Sequence, residues 1–251
     1  MRNIAIVLAG GSGTRMGLGR PKQFLQMAGK TILEHSVDAF HNNELIETII
    51  IVSNPDFIDE AEAIVVQHRE TGKWNKVHAV IPGGKDRSSS SLNAILKVKG
   101  EEKDRTGNDG ENINLLFHDA VRPLVDQRII TDVCHALCHH TAVNVTLPVV
   151  DTIIRTATMT TPNGEEQCIM TDTVDRSTLQ RVQTPQGFRL DTIDEAYRRA
   201  LADPDFRATD DCGVVLRYMP EVPIALVRGS EHNLKLTYPE DIPLFEYLMT
   251  L

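Results

Sequence analysis

The residues best placed to do chemistry lie together near the N-terminus. The run Leu8 to Gly17 reads Leu-Ala-Gly-Gly-Ser-Gly-Thr-Arg-Met-Gly, and Pro21-Lys22 follows. Glycines at 10, 11 and 13 let backbone N–H groups approach phosphate oxygens with no side chain in the way, and such nests of N–H groups bind anions. Arg15 and Lys22 add full positive charges. A glycine loop beside two fixed cations suits a polyphosphate, and hence an enzyme that handles a nucleoside triphosphate.

Spacing excludes two better-known glycine loops. A Walker loop needs Gly, four residues, then Gly-Lys-Ser/Thr, but Met16 stands at the fifth position after Gly11 and no Gly-Lys-Ser/Thr occurs. The dinucleotide fingerprint needs Gly or Ala at 16, and its second strand should end in an acid where this chain has Ser53. A glycine-rich turn that binds nothing is the bland alternative.

The elements that must position this loop show in the apolar pattern. Ile4 to Leu8 reads as a buried strand, and Ile32, Leu33, Val37 and Phe40 fit one face of a helix. Further strands are expected at 47–53, 76–81, 113–117, 143–148 and 222–227, with helices at 31–41, 56–68, 88–98, 127–139 and 190–202. Strands alternating with helices predict a mostly parallel sheet covered on both faces, in which ligands sit beyond the carboxyl ends of the strands. The polar stretch Lys99 to Asn112 reads as a mobile surface loop. Between 150 and 184, the turn sequence Thr160-Thr-Pro-Asn-Gly164 separates two β-prone runs, which predicts a projecting hairpin.

At 251 residues the chain fits one α/β domain able to fold without staples. Four cysteines suggest no disulfide framework; with no secretory signal and no apolar run long enough for a bilayer, a reducing cytoplasm is the expected compartment. The formal net charge of −9 argues against a nucleic-acid or anionic-membrane binder, so any basic site must be local.

With these residues in hand, the chain resembles nucleotidyltransferases that activate sugar or polyol phosphates. Six further blocks narrow the resemblance: Gly83-Gly84 with Arg87 and Ser90, His118-Asp-Ala-Val-Arg-Pro123, Val150-Asp-Thr152, Thr173-Val-Asp-Arg176, Gln183-Thr-Pro-Gln186 and Asn233-Leu-Lys-Leu-Thr237. Their order is similar to that of the 2-C-methyl-D-erythritol 4-phosphate cytidylyltransferases and their sisters, the ribitol-5-phosphate cytidylyltransferases, over nearly the whole chain. The resemblance implies a Rossmann-like fold, a homodimer embraced by the hairpin arm, and CTP and a polyol phosphate as substrates.

Such a reaction asks for no covalent help. It needs two polyanions held together against their repulsion, and charge stabilised at the α-phosphate. The resemblance carries Arg15, Lys22 and Lys235 over as the catalytic cations. It assigns the nucleotide to Ala9, Gly10, Gly11, Gly13, Gly84, Ser90, Asp119 and Ala120, and the acceptor to Thr152, Arg176 and Thr184. Thr152 and Arg176 are expected to act on the partner subunit's site. A triphosphate exceeds what three side chains can neutralise, so Mg²⁺ is expected, with Asp119 as its one carboxylate. Arg122 is read as bracing the Asp119 loop, and Ser88 as the cap of the helix that follows.

Two features pull elsewhere. Methylerythritol-phosphate enzymes usually carry Arg where this chain has Val150, while the Ala-Gly-Gly loop and His118-Asp-Ala-Val lean toward the pentitol enzymes. Cys134-His-Ala-Leu-Cys-His-His140 has pairs one helical turn apart, a spacing able to chelate zinc. Those pairs point in different directions on a helix and no second pair exists, so the cysteines are expected on the apolar face and the histidines in solvent. The favoured activity is cytidylyl transfer to 2-C-methyl-D-erythritol 4-phosphate. A pentitol-phosphate acceptor is the sister reading, and a catalytically silent nucleotide-binding module the reading from another class.

Overall fold

The structure is a computed structural model that describes residues 1–11, 20–106 and 112–250. Within these, seven strands form one sheet. In chain order they are β1 (Arg2–Ala9), β4 (Thr48–Ser53), β5 (Val77–Pro82), β6 (Ile113–Asp119), β7 (Ala142–Pro148), β10 (Gln180–Arg189) and β11 (Ile224–Arg228). The intervening numbers belong to two small ribbons, β2 (Gln26–Met27) with β3 (Lys30–Thr31), and β8 (Ile153–Thr160) with β9 (Glu166–Val174). The sheet order is β11-β7-β10-β6-β1-β4-β5. β1 pairs in parallel with both β4 and β6, and β10 runs antiparallel to both its neighbours. The expected mostly parallel α/β sheet is present, with one strand reversed inside it.

Alternation along each strand sorts the core into two layers. Ala5, Val7, Ile49 and Ile51 pack with Leu33, Val37 and Phe40 of α1 (Ile32–His41) and Ile129, Ile130 and Val133 of α4 (Gln127–Ala136); Ala61 and Val65 of α2 (Ile58–Glu70) close that layer. Ile4, Ile6, Ile50, Leu115 and Phe117 face the other way. They meet Ala94 and Ile95 of α3 (Arg87–Thr106), Ile193 and Ala196 of α5 (Leu190–Leu201) and Val215 of α6 (Asp211–Tyr218). A last helix, α7 (Ile242–Leu248), sets Phe245 against Leu236 and Met27. Strands buried on both faces read as continuous apolar runs, which is why β1, β4 and β6 were legible.

Helix starts follow from local chemistry. Thr31 and Glu34 form a reciprocal capping box at α1, and the Asp126 and Asp210 side chains accept from Ile129 N–H and Gly213 N–H at α4 and α6. At α3 the cap is Asp86, whose carboxylate accepts from the backbone N–H of Ser89 at 2.7 Å. This corrects the assignment to Ser88: a carboxylate one residue ahead of the helix reaches the free N–H groups better than a hydroxyl within the first turn.

Two further expectations change. The polar stretch from Lys99 does not begin a loop, because α3 runs on to Thr106. The buried Glu102 accepts from Arg2 at 2.8 Å and from Arg105 at 2.7 Å, so ion pairs sustain the last turns where apolar spacing is absent. The stretch 150–184 also divides. The hairpin is β8 and β9, turning through Thr161–Glu165 with Gly164 at φ +82°, whereas 180–184 already belongs to β10 in the central sheet. Nearly every hairpin residue is exposed.

Candidate active site

The strand order reverses at β1, the place where such sheets bind ligands. A cleft of about 710 Å³ opens there, at the carboxyl ends of β1, β4, β5 and β6. Leu8 to Gly11 continue β1 into it, Asn54 and Pro55 follow β4, Gly83 to Arg87 follow β5, and Asp119 and Val121 follow β6. Lys22, Gln23 and Lys235 come from outside the sheet.

The walls of the cleft are fixed by hydrogen bonds. Gln23, fully buried, donates its side-chain amide to Ala9 O at 2.6 Å and Gly11 O at 2.9 Å, which holds the start of the glycine loop. On the facing wall Ser90 Oγ accepts from Gly84 N–H at 3.1 Å and donates to Asp86 O at 2.9 Å. A Cβ on Gly84 would sit 2.1 Å from Ser89 Cβ, so that turn admits only glycine. Glycine at 10, 11, 83 and 84 leaves these walls without side chains of their own.

The floor carries the charge. Asp119 Oδ2 accepts from Lys235 Nζ at 2.8 Å, and Oδ1 lies 3.4 Å from Arg87 Nε. Burial pushes the Asp119 carboxyl up, but Arg87 and Lys235 outweigh it and hold it far below the ordinary carboxylate range. Lys22 is buried and donates to Leu236 O at 2.6 Å, next to Lys235 in the chain. Leu236 N–H in turn donates to Val121 O at 2.9 Å, so the segments bearing both lysines and Asp119 are tied into one unit.

His118 and Arg122 support the loop from behind. His118 is fully buried beside Phe40; burial pushes its pKa down to about 4, and its ring bridges Thr184 Oγ1 and Arg122 O, both at 3.1 Å. Arg122 donates to Asn233 O at 2.8 Å, and its backbone N–H donates to Asp119 O, the bracing role expected of it.

The cleft therefore gathers Ala9, Gly10, Gly11, Lys22, Gly84, Ser90, Asp119 and Lys235. Gly13 and Arg15 lie outside the described residues. Ala120 does not line the cleft: it is buried, giving its N–H to Leu8 O and accepting from Ser36 Oγ at 2.6 Å. Thr184 is also withdrawn, since β10 carries it beneath the floor, where its hydroxyl accepts from Asp119 N–H at 3.1 Å. Thr152 and Arg176 are exposed at the root of the hairpin, away from their own chain's cleft, and Arg176 donates to Val150 O. Gln23 and Lys85 also line the cleft; Gln23 follows Pro21-Lys22 directly, yet nothing in its type reveals that its amide would serve the loop. Arg87, noted only as part of a block, proves to share a carboxylate with Lys235.

The fit to Mg²⁺ rests on Asp119. Asp86, the other carboxylate of the cleft, is used as a helix cap, and no group of three potential metal ligands exists among the described residues. A divalent cation here would be held mainly by substrate phosphates, with one protein oxygen, which suits Mg²⁺. The Cys134–His140 cluster supplies no such group either: Cys134 is buried, while Cys138, His135, His139 and His140 are exposed. Cys138 thus faces solvent rather than the apolar side, because α4 ends at Ala136.

Residues 3–251 match the family model described as 2-C-methyl-D-erythritol 4-phosphate cytidylyltransferase. The chain belongs to this family. A cytidylyltransferase of that name from Thermobifida fusca is 44% identical over 99% of this chain and 93% of its own length. A bifunctional ribulose 5-phosphate reductase/CDP-ribitol pyrophosphorylase from Haemophilus influenzae is 41% identical over 96% of this chain, which corresponds to 47% of that longer protein. Among solved structures, the 4-diphosphocytidyl-2C-methyl-D-erythritol synthase from Anaerococcus prevotii superposes with a TM-score of 0.77 at 23% identity, covering 100% of this chain and 96% of that one, and so shares the fold. The chain is thus a nucleotidyltransferase of the CTP-using cytidylyltransferase class. No helix among the described residues is long and apolar enough to cross a membrane.

Proposed function

We propose that this chain transfers the cytidylyl group of CTP to 2-C-methyl-D-erythritol 4-phosphate. A phosphate oxygen of the acceptor attacks the α-phosphorus, a new P–O bond forms, the bond to the β-phosphate breaks, and pyrophosphate departs. The observation that carries this reading is one cleft in which backbone-lined walls at Gly10–Gly11 and Gly84 meet Lys22 and Lys235 over a floor set by Asp119. The glycine walls let a base approach the backbone, and the lysines would bring positive charge to where negative charge grows in the transition state. Mg²⁺ held at Asp119 would screen the triphosphate and favour the pyrophosphate leaving group.

The acceptor site is proposed to be shared between subunits of a homodimer. Thr152 and Arg176 stand at the base of a hairpin exposed on both faces, with Ile154, Met159 and Met170 among its uncovered side chains. A lone two-stranded ribbon is marginal in water, so a second copy of the chain is its natural cover. Arg176 suits bidentate recognition of the acceptor phosphate.

One observation favours a second acceptor. The CDP-ribitol relative is nearly as similar as the methylerythritol-phosphate one, and position 150 carries exposed Val. Pyrophosphate release with CTP against methylerythritol phosphate, ribitol phosphate and a hexose phosphate tests both readings. Methylerythritol phosphate should give the highest kcat/KM; equal or reversed preference transfers the assignment to the pentitol, with Val150→Arg as the informative back-substitution. A protein that binds CTP and releases no pyrophosphate with any acceptor would be a silent nucleotide-binding module.

A further inference from the structure

Beneath the floor of the cleft, the first residues of two helices meet. Arg87 opens α3 and Asp211 opens α6, and Arg87 Nη1 donates to Asp211 Oδ2 at 2.6 Å. Asp211 is wholly buried and held from several sides: Tyr197 O–H donates to Oδ1 at 2.7 Å, and its own backbone N–H donates to Gln186 Oε1 at 3.1 Å. Arg87 is thus shared unequally, in tight contact with Asp211 and 3.4 Å from Asp119.

This arrangement decides how much negative charge Asp119 retains. Of the two cations in contact with it among the described residues, Lys235 is partly exposed on a flexible stem, so water or a substrate phosphate can take over its ammonium when another cation arrives. Arg87 cannot withdraw in the same way, because Asp211 and the start of α3 fix its guanidinium. Left uncompensated, a permanent positive charge at that distance would oppose a divalent cation at Asp119 strongly in so buried a place. We propose that Asp211 is a positioning residue of the reaction: it neutralises Arg87 and takes its closer contact, leaving only the longer one to Asp119, so that Asp119 can hold a divalent cation. Tyr197 serves the same end by fixing the second oxygen of Asp211.

The inference rests on the reading of Asp119 as the protein ligand of that cation, and the test separates the two. Mn²⁺ binding to the protein with CTP and no acceptor can be followed by the loss of free Mn²⁺ signal in electron paramagnetic resonance, independently of turnover. Asp119→Asn should weaken Mn²⁺ strongly; if it does not, the reading of Asp119 falls and the inference with it. Asp211→Asn keeps the shape and removes the charge, and should weaken Mn²⁺ by about tenfold or more. The double variant Arg87→Gln/Asp211→Asn removes both charges and should return the affinity to within about threefold of the original. A role confined to packing predicts the opposite order, with the double variant at least as weak as the single. Tyr197→Phe leaves the ion pair intact and should weaken Mn²⁺ by about two- to threefold in the same direction. It carries the test if Asp211→Asn does not fold. Unchanged affinity in Asp211→Asn, a double variant weaker than the single, or, where only Tyr197→Phe folds, no change in that variant would each overturn the proposal.

Discussion

At the scale of single residues, the structure separates charges that line the cleft from groups that hold those charges still. Lys22 is buried and anchored to Leu236 O, so its ammonium is preorganised rather than recruited. Lys22→Ala should therefore lower kcat and kcat/KM together, by about 100- to 1000-fold, with an unchanged circular dichroism spectrum. An unchanged kcat with only weaker CTP binding would remove it from catalysis. His118 belongs to the holding groups and can be tested by acid. The unfolded chain takes up a proton near the ordinary histidine pKa of 6.5, whereas burial delays uptake in the folded protein to about pH 4. Stability from this residue is constant above about pH 7 and falls as the pH drops, by about 2 kcal/mol at pH 5. Urea midpoints at pH 7.5 and 5 should differ less in His118→Gln than in the original protein; an equal difference would acquit His118. Asp119 contributes in the same direction only at lower pH, because its carboxyl is held far below the usual range.

At the scale of elements, the turn between β5 and α3 is the most exacting piece of the cleft. Gly84→Ala places a methyl against Ser89 Cβ, with the Ser89 backbone close behind it, so the turn must open to admit it. Overpacking of this kind typically costs 1–3 kcal/mol, so CTP affinity should fall by about tenfold or more while the fold survives. Calorimetric CTP titration of Gly84→Ala checks this, and wild-type affinity would mean the wall is softer than its contacts imply. The same turn shows what sequence can and cannot reveal. Runs such as Ile4 to Leu8 announce strands because both faces are buried, and the glycines announce a turn. β10 stayed hidden because the buried part of Gln180-Arg-Val-Gln-Thr-Pro-Gln-Gly, from Gln183 on, is mostly polar. Gln183 and Gln186 are buried to serve Ser230, Asn144 and Asp210, which no periodicity encodes. The far half of α3 was hidden for a related reason, since ion pairs around Glu102 replace an apolar stripe. Site residues followed the same rule: Gly84, Ser90, Asp119 and Lys235 fall on the cleft where their blocks suggested, whereas Thr184 was displaced by a strand that could not be seen.

At the scale of the whole molecule, the proposed crossed homodimer has a quantitative signature. If Arg176 serves the partner's site and Lys22 its own, Lys22→Ala and Arg176→Ala homodimers should both be nearly inactive. In a mixed dimer the Arg176→Ala protomer keeps its own Lys22 and borrows an intact Arg176, so one site of two is whole. Random pairing then restores roughly a quarter of the original activity on co-expression. A mixture as inactive as its parents, with mixed dimers verified by mass spectrometry, would sink the crossed arrangement. The manner in which the hairpin is attached has a longer reach. Its two ends leave β7 and return in β10, and these strands are already clasped to each other, with Gln180 opposite Pro148 and Arg181 opposite Leu147. The sheet, not the hairpin, closes that loop, so lengthening or exchanging the ribbon costs the core little. The ribbon is thus mounted like an interchangeable tool head: if it serves the acceptor as proposed, descent can change it while the sheet that carries the cleft is inherited untouched.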